Sequence, residues 1–288
     1  MERKPKAVKL DGETCENALT GLGEGVAVHD VTECGEHTGT AEQSSQLVKD
    51  GQYDEAKALW DHDIDELYTE WIGQADIEGK RNAEDEKVAW EHQLSALEAS
   101  MNLVCAPDQV DTIIVEERMN QCVGMCYELH SAPETRVDSL SGKHNSLPDG
   151  EETVECVHTA TYLENGSAHV VDGQCASHAL TMQLTEQLLA DADDQESREA
   201  AWQRAQRNWI LELNTMYDIW YLSADESQRP VIAEDRMSFD RLLAARQKTL
   251  ADMYPDHPEI AAEVLANLIM DRTETICRVL HAAGVLTD

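Results

Sequence analysis

The sequence predicts a mainly helical α+β fold in which a disulfide-stapled β-hairpin followed by an antiparallel helical bundle occurs twice in tandem. Three observations predict it. An aromatic helical pattern recurs 149 residues along the chain, an amino-terminal cysteine pattern recurs at an offset of 141 residues, and each cysteine pattern is symmetric about a turn-like dipeptide. Repeats of this kind define the architecture before single elements are assigned. The first unit is therefore 1–132 and the second 151–288, joined by a Ser-, Pro- and Gly-containing linker over 133–150.

The second predicted hairpin, about 152–178, shows the cysteine symmetry most clearly. Cys156 and Cys175 lie equally far from Asn165-Gly166, a dipeptide that favours a two-residue type I′ turn. Directly opposed residues of an antiparallel pair have Cα atoms about 4.5 to 5.5 Å apart, which is within disulfide range. The flanking segments are rich in Thr and Val, as strands are. We therefore expect a disulfide across this hairpin.

The first predicted hairpin, about 10–38, has the same layout. Cys15 and Cys34 are symmetric about Glu24-Gly25. Because glutamate adopts a positive φ unfavourably, this turn could be longer than two residues, and a symmetric longer loop keeps the same cysteine pairing. Two such disulfides indicate an oxidising compartment. The sequence thus predicts a periplasmic or secreted protein whose leader is absent from this chain.

A zinc site is the alternative for the same cysteines. Cys34 and Cys175 are each followed three residues later by a histidine, His37 and His178, and Cys15 or Cys156 could join them. Neither set contains a second closely spaced ligand pair. We therefore prefer the disulfides, and no cofactor or metal is expected.

Helices are predicted over about 43–130 and about 180–283. Trp60, Ile64, Tyr68 and Trp71 lie on one helical face and recur as Trp209, Leu213, Tyr217 and Trp220, with Leu67 and Met216 in the same stripes. This pattern favours packing in a bundle core over a ligand-stacking platform. The other helices are predicted from periodicity and proline positions: about Arg81–Met101, Val110–His130, Thr185–Arg207 leading into Trp209, Val231–Met253 and Pro258–His281.

The remaining four cysteines, Cys105, Cys122, Cys126 and Cys277, are also expected in disulfides. Cys105 with Cys122 would close the loop between two helices of the first bundle. Cys126 and Cys277 occupy equivalent repeat positions and could join the halves across a pseudo-twofold contact. Three pairings of these four are conceivable, and spacing alone leaves them open.

The charge balance restricts the partners. The chain has 57 Asp and Glu against 22 Lys and Arg, a formal net charge of -35. Such a field repels nucleic acid and attracts basic proteins, and no apolar run reaches the roughly 20 residues of a membrane span. Adaptation to salty surroundings is an alternative cause of this acidity, and both explanations stay open.

Two acidic runs are candidate cation sites. The first comprises Asp61, His62, Asp63, Asp65 and Glu66, which could bind Ca²⁺ but read more simply as a solvated helix face. The second comprises Asp191, Asp193, Asp194 and Glu196, which indicate a helix start or a loop. No catalytic motif is recognisable in the sequence.

The helical halves resemble the lysozyme-inhibitor LprI-like family of bacterial periplasmic proteins. Its pattern has Leu-Asn-x2-Tyr on a first helix, a charged helix with an aromatic, a cysteine, and a last helix with Cys or Thr followed by Arg and Leu. The second unit reads ELNTMY, EDRMSFDRLLAAR and DRTETICRVL, and the first reads DIDELY, EDEKVAWEHQL and QCVGMCYEL. Phe239 replaces the usual Trp, the second unit lacks the cysteine pair, and the hairpin is not part of the pattern. The resemblance implies a helical fold and lysozyme inhibition.

Three functions follow as hypotheses. The first is a non-enzymatic extracytoplasmic acidic binding protein that inhibits a cationic lysozyme-like enzyme. The second is a hydrolase or metal-dependent enzyme with a site between the two halves, where ligands commonly bind. The third is a structural domain of a secreted assembly. The oligomeric state is not fixed by any of these.

Overall fold

Eight helices and three short strands form the part of the chain described by the computed structural model, residues 38–130, 157–164, 167–174 and 176–287. In chain order they are α1 Thr38–Lys49, α2 Tyr53–Gln74, α3 Ile77–Met101, α4 Pro107–His130, β1 Val157–Glu164, β2 Ser167–Gln174, α5 Ala176–Ala190, α6 Gln195–Ser223, α7 Arg229–Met253, α8 Pro258–Ala282 and β3 Leu286–Thr287.

The aromatic stripes form the core, as the sequence predicts. Trp60 and Tyr68 of α2 are each 1% exposed, and Trp209 and Trp220 of α6 are equally buried. The N–H of a buried indole usually has a hydrogen-bond partner, and Trp60 Nε1 donates to Ser44 Oγ at 2.9 Å, which fixes α1 against α2. The stripes are therefore packing surfaces and not ligand platforms.

The predicted helix over Thr185–Arg207 is wrong, because the chain breaks there into α5 and α6. Asp194 is the N-cap of α6: Ser197 N donates to its Oδ1 at 2.8 Å, and Asp194 N donates back to Ser197 Oγ at 3.0 Å. Such a capping box starts a helix. The second acidic run is thus a helix start. The other predicted helices are confirmed to within a few residues.

The central pair, α3 and α7, joins the two halves. These helices pack against each other more extensively than against the other helices of their own halves, while α2 packs on α4 and α6 packs on α8. One contiguous core contains residues of both halves, including Leu97 and Phe239. The halves are therefore interlocked in one bundle.

The strands form a small sheet in the order β2-β1-β3. β1 and β2 pair antiparallel with Thr161 opposite Val170, and β3 pairs antiparallel with β1, with Ala160 opposite Leu286. β1 and β2 lie within the predicted span 152–178.

The predicted fold class is nevertheless wrong. The described part of the chain is an interlocked helical bundle with one small sheet, rather than two stapled hairpins each leading its own bundle, and no pair of described cysteines lies at disulfide distance. The physical reason is that α3 and α7 bury their apolar faces mainly in each other. The predicted staples, Cys15 with Cys34 and Cys156 with Cys175, lie outside the described residues, as do the linker, His37 and all of the 10–38 hairpin except Thr38, which begins α1. The side chain of His178 is also not described.

Candidate functional site

The candidate site is an acidic stripe on the outer side of α2, which we call the acidic face. It comprises His62, Asp65, Glu66, Thr69 and Glu70, all exposed. These positions follow the spacing i, i+3, i+4, i+7 and i+8, so they lie in a row opposite the buried aromatic stripe. A shallow depression is lined by its last four members.

The acidic face is specific to the first half of the chain. At the offset of 149 residues, its members correspond on α6 to Leu211, Asn214, Thr215, Asp218 and Ile219. Leu211 is 66% exposed, so the corresponding surface of the second half is partly apolar. The two helices share the buried aromatic stripe, but Ile219 extends it on α6, and the remaining corresponding positions carry fewer carboxylates than α2. The fold itself therefore does not require the acidic row.

Two cations and a histidine border the acidic face. Lys87 Nζ of α3 lies 2.5 Å from Asp65 Oδ1, and His130 Nε2 of α4 lies 3.2 Å from Glu70 Oε2. Arg118 Nε donates to Asp61 at 2.8 Å, one turn before the face. The carboxylate of each pair is exposed to solvent, and surface pairs contribute about 0 to 1 kcal/mol each. A cationic partner can therefore replace them at little cost.

A set of metal-ligand types overlaps the acidic face. Ligand atoms of His62, Asp63 and Glu66 lie within 4.8 Å of one another, and His62 Nε2 is 3.4 Å from Glu66 Oε1. Asp63 is buried, whereas the other two are exposed. All three come from one helix, and an acidic helix face produces such a set without any ion. We therefore assign no metal to it.

Behind the acidic face lies the first ion network, formed by Tyr68, Glu86, Glu128, Arg246 and Thr249, all buried. Arg246 donates Nη1 to Glu86 and Nη2 to Glu128, and Thr249 Oγ1 donates to Glu86. The Tyr68 hydroxyl donates to Glu86 Oε1 at 3.2 Å, which ties α2 to this network. Burial opposes the charge on Arg246, but the carboxylates of Glu128 and Glu86 outweigh it and raise its pKa. The network holds α2 in place and so fixes the acidic face.

The second ion network is formed by Ser100, Tyr217, Asp235 and Arg272, also buried. Tyr217 and Ser100 each donate a hydroxyl to Asp235 Oδ2 at 3.0 Å, and Arg272 Nη2 donates to Asp235 Oδ1. Arg272 Nη2 also donates to the Tyr217 hydroxyl at 2.9 Å. Buried charges are stable only when paired and hydrogen-bonded, and here they are.

Sequence reasoning missed both networks. Glu86 and Asp235 stand in charge-rich stretches that read as solvated helix faces. A signal was present, because the offset that aligns Tyr68 with Tyr217 also aligns Glu86 with Asp235 and Ser100 with Thr249. When a carboxylate and a hydroxyl recur at the same 149-residue offset as the core aromatic residues, they are expected to be buried and hydrogen-bonded.

The structure contradicts every predicted pairing of the four helical cysteines. Cys105 and Cys122 are free thiols and Cys277 forms no disulfide, so neither Cys105–Cys122 nor Cys126–Cys277 forms, and the two other arrangements of the four cysteines fail for the same reason. Cys126 is disulfide-bonded, as predicted, but not to any of these three. Cys105 lies in the loop after α3, whereas Cys122 is fully buried on α4 beside Asp63. The extracytoplasmic location stays a prediction.

Comparisons with known proteins give no relative: no protein-family model, curated protein or solved structure matches the chain. The resemblance to lysozyme inhibitors therefore stays a prediction. Within the described ranges, no helix is long and apolar enough to cross a membrane.

Proposed function

We propose that the protein is an extracytoplasmic binding protein whose acidic face engages a cationic protein, and that this partner is a lysozyme-like enzyme. The observation that carries the proposal is the contrast between α2 and α6. Exposed Asp65 and Glu66 occupy repeat positions where the second half has Asn214 and Thr215, and exposed Glu70 corresponds to the buried Ile219.

The electrostatics of the chain support such a partner. A formal charge of -35 attracts a basic protein from a distance and speeds their encounter. The exposed pairs of Asp65 with Lys87 and of Glu70 with His130 contribute little, so lysines or arginines of the partner can exchange with them. The choice of a lysozyme-like enzyme rests on the family resemblance of the helical halves.

The test measures association with a cationic lysozyme at low and high ionic strength. We expect the association rate constant to fall by about tenfold or more as salt shortens the screening length. A triple variant, Asp65→Asn with Glu66→Gln and Glu70→Gln, should slow association by about tenfold at low salt. Lysozyme activity measured on the same mixtures reports whether binding inhibits the enzyme.

The matched control changes net charge equally at three exposed carboxylates elsewhere, with Asp193→Asn, Glu226→Gln and Asp256→Asn. We expect its effect to stay below about twofold. Equal slowing in both triple variants would show a general charge effect without a defined site. No binding at low salt would remove the lysozyme proposal.

A further inference from the structure

The seam between α3 and α7 shows a reciprocal exchange of hydrogen bonds. Ser100 Oγ near the end of α3 donates to Asp235 Oδ2 near the start of α7 at 3.0 Å. Thr249 Oγ1 near the end of α7 donates to Glu86 Oε2 near the start of α3. Ser100 and Thr249 are 149 residues apart, and so are Glu86 and Asp235. Each half gives and receives the same contact, which is the pattern of an isologous interface.

The four exchanging residues are fully buried, each at 0% exposure. A carboxylate at such a place is strongly destabilising without its donors. Glu86 receives the guanidinium of Arg246 and the hydroxyl of Thr249, and both come from the other half. The first half therefore cannot complete the surroundings of Glu86 by itself.

Further contacts cross between the halves at α4. The hydroxyl of Tyr254 donates to the backbone carbonyl of Glu128 at 2.8 Å, beside the pair of Glu128 with Arg246. Two more bonds join α8 to α4: Thr275 Oγ1 to Glu117 Oε1 at 2.8 Å and Arg278 Nη2 to Glu116 Oε2 at 2.5 Å. The interface extends from the central seam to the outer helices.

We infer that the seam is a self-complementary association surface, and that each half binds the opposite half as the protomers of a dimer bind each other. The partner that fits this surface is another helical unit of the same kind, with a carboxylate, a hydroxyl and aromatic residues at the corresponding positions. The two halves then stay together without the chain segment that connects them. This inference is independent of the proposed partner enzyme.

The test cuts the full-length protein after folding, at a protease recognition sequence introduced within 133–150. Because Cys126 is disulfide-bonded, the fragments are analysed in the presence of a reductant, so that only non-covalent contacts can hold them together. We expect them to co-elute at the mass of the intact chain under native conditions at micromolar concentration. In Arg246→Leu, which removes the cation shared by Glu86 and Glu128, the cut fragments should separate. Separation of the cut wild-type fragments would overturn the inference.

Arg241→Leu is the matched control, because Arg241 lies on the same helix but pairs with Glu234 of its own half and is 55% exposed. Its cut fragments should stay together. Separation of this variant to the same extent as Arg246→Leu would contradict a specific role of the seam.

A milder variant covers the case in which Arg246→Leu does not fold. Thr249→Val keeps the side-chain shape but removes the donor to Glu86, and on dilution its cut fragments should dissociate at a concentration about tenfold higher than wild type. Thr215→Val is its control, since that exposed hydroxyl bonds only within its own helix, to Leu211 O. Equal dissociation of the two threonine variants would show that the exchange does not hold the halves together.

Discussion

Arg246 and Glu86 form a buried ion pair across the two halves of the chain, with side-chain exposures of 5% and 0%. Their counterparts in the second network, Arg272 and Asp235, belong to the same half. The first network thus receives its arginine from the opposite half, whereas the second network receives its arginine from the same half as its aspartate. At the repeat position of Arg246 the first half has Leu97, a core residue. The pseudo-symmetry therefore holds for carboxylates, hydroxyls and tyrosines but not for the arginines.

Loss of Arg246 should be severely destabilising. Arg246→Leu leaves the carboxylates of Glu86 and Glu128 buried without a cation, and breaking a buried pair in this way costs about 3 to 5 kcal/mol. Urea unfolding of the intact chain at neutral pH measures the change. Arg241→Leu, which breaks an exposed pair on the same helix, should cost less than about 1 kcal/mol. A loss below about 1 kcal/mol in both variants would show that the first network contributes little to stability.

The Ser100 hydroxyl should contribute a smaller but measurable amount. In Ser100→Ala, Asp235 keeps its bonds to Tyr217 and Arg272 but loses one buried donor, which costs about 1 to 3 kcal/mol. Ser95→Ala on the same helix is the control, because that hydroxyl is exposed and bonds the preceding turn at Glu91 O. The difference in urea unfolding midpoint between the two variants is the readout. Identical midpoints would contradict a stabilising role for the seam hydroxyl.

The helices were predictable because large apolar residues recur at helical spacing and because the spacing itself repeats. Trp60 and Trp209 mark the same core position twice, and burial confirms both. The partner of each helix could not be predicted, since periodicity shows which face is buried but not what covers it. For that reason the sequence predicts α3 within the bundle of its own half, although α7 covers it. The break before α6 was missed because the cap at Asp194 stands in an acidic run that continues smoothly into helix-forming sequence.

The acidic face was only partly predictable. The run from Asp61 to Glu66 reads as a solvated acidic helix face, and the exposure of Asp65 and Glu66 confirms this for most of it. Asp63 is the exception, because it is buried beside Cys122. Asp63 lies at the edge between the buried and the exposed side of α2. Helical periodicity does not predict whether a residue at that edge is buried or exposed. The contrast with α6 depends on the exposure of both helices, which the sequence does not give.

Stability should fall at alkaline pH. Burial, as the largest cause, raises the pKa of Tyr68 and of Tyr217 well above the ordinary value, and burial beside Asp63 raises the pKa of Cys122 to about 12. The unfolded chain loses these protons near pH 8.5 for cysteine and about pH 10 for tyrosine, while the folded chain keeps them. Stability from these groups is therefore full below about pH 8.5 and decreases above it, by up to about 1.4 kcal/mol per pH unit for each group.

Urea unfolding at several values between pH 7 and pH 11 measures this dependence. Tyr68→Phe and Tyr217→Phe should each flatten the profile above pH 10, and Cys122→Ala should flatten it from about pH 8.5 upward. The slope is the readout, because each substitution also changes the stability at neutral pH. A flat wild-type profile up to pH 11 would contradict the burial of these protonated groups.

The free thiols should differ strongly in reactivity. Cys105 is partly exposed in a loop, whereas Cys122 is fully buried, and burial raises the pKa of both thiols. Because alkylation requires a thiolate that the reagent can reach, we expect Cys105 to react about 100-fold faster than Cys122 in the native protein at pH 8. Peptide mapping by mass spectrometry after iodoacetamide treatment identifies the modified residues, and Cys105→Ser should remove the fast phase. In urea without reductant, Cys122 should react as fast as an ordinary thiol. If it stays unmodified there, it is oxidised, and the disulfide that the sequence predicted for this helix would have to be reinstated.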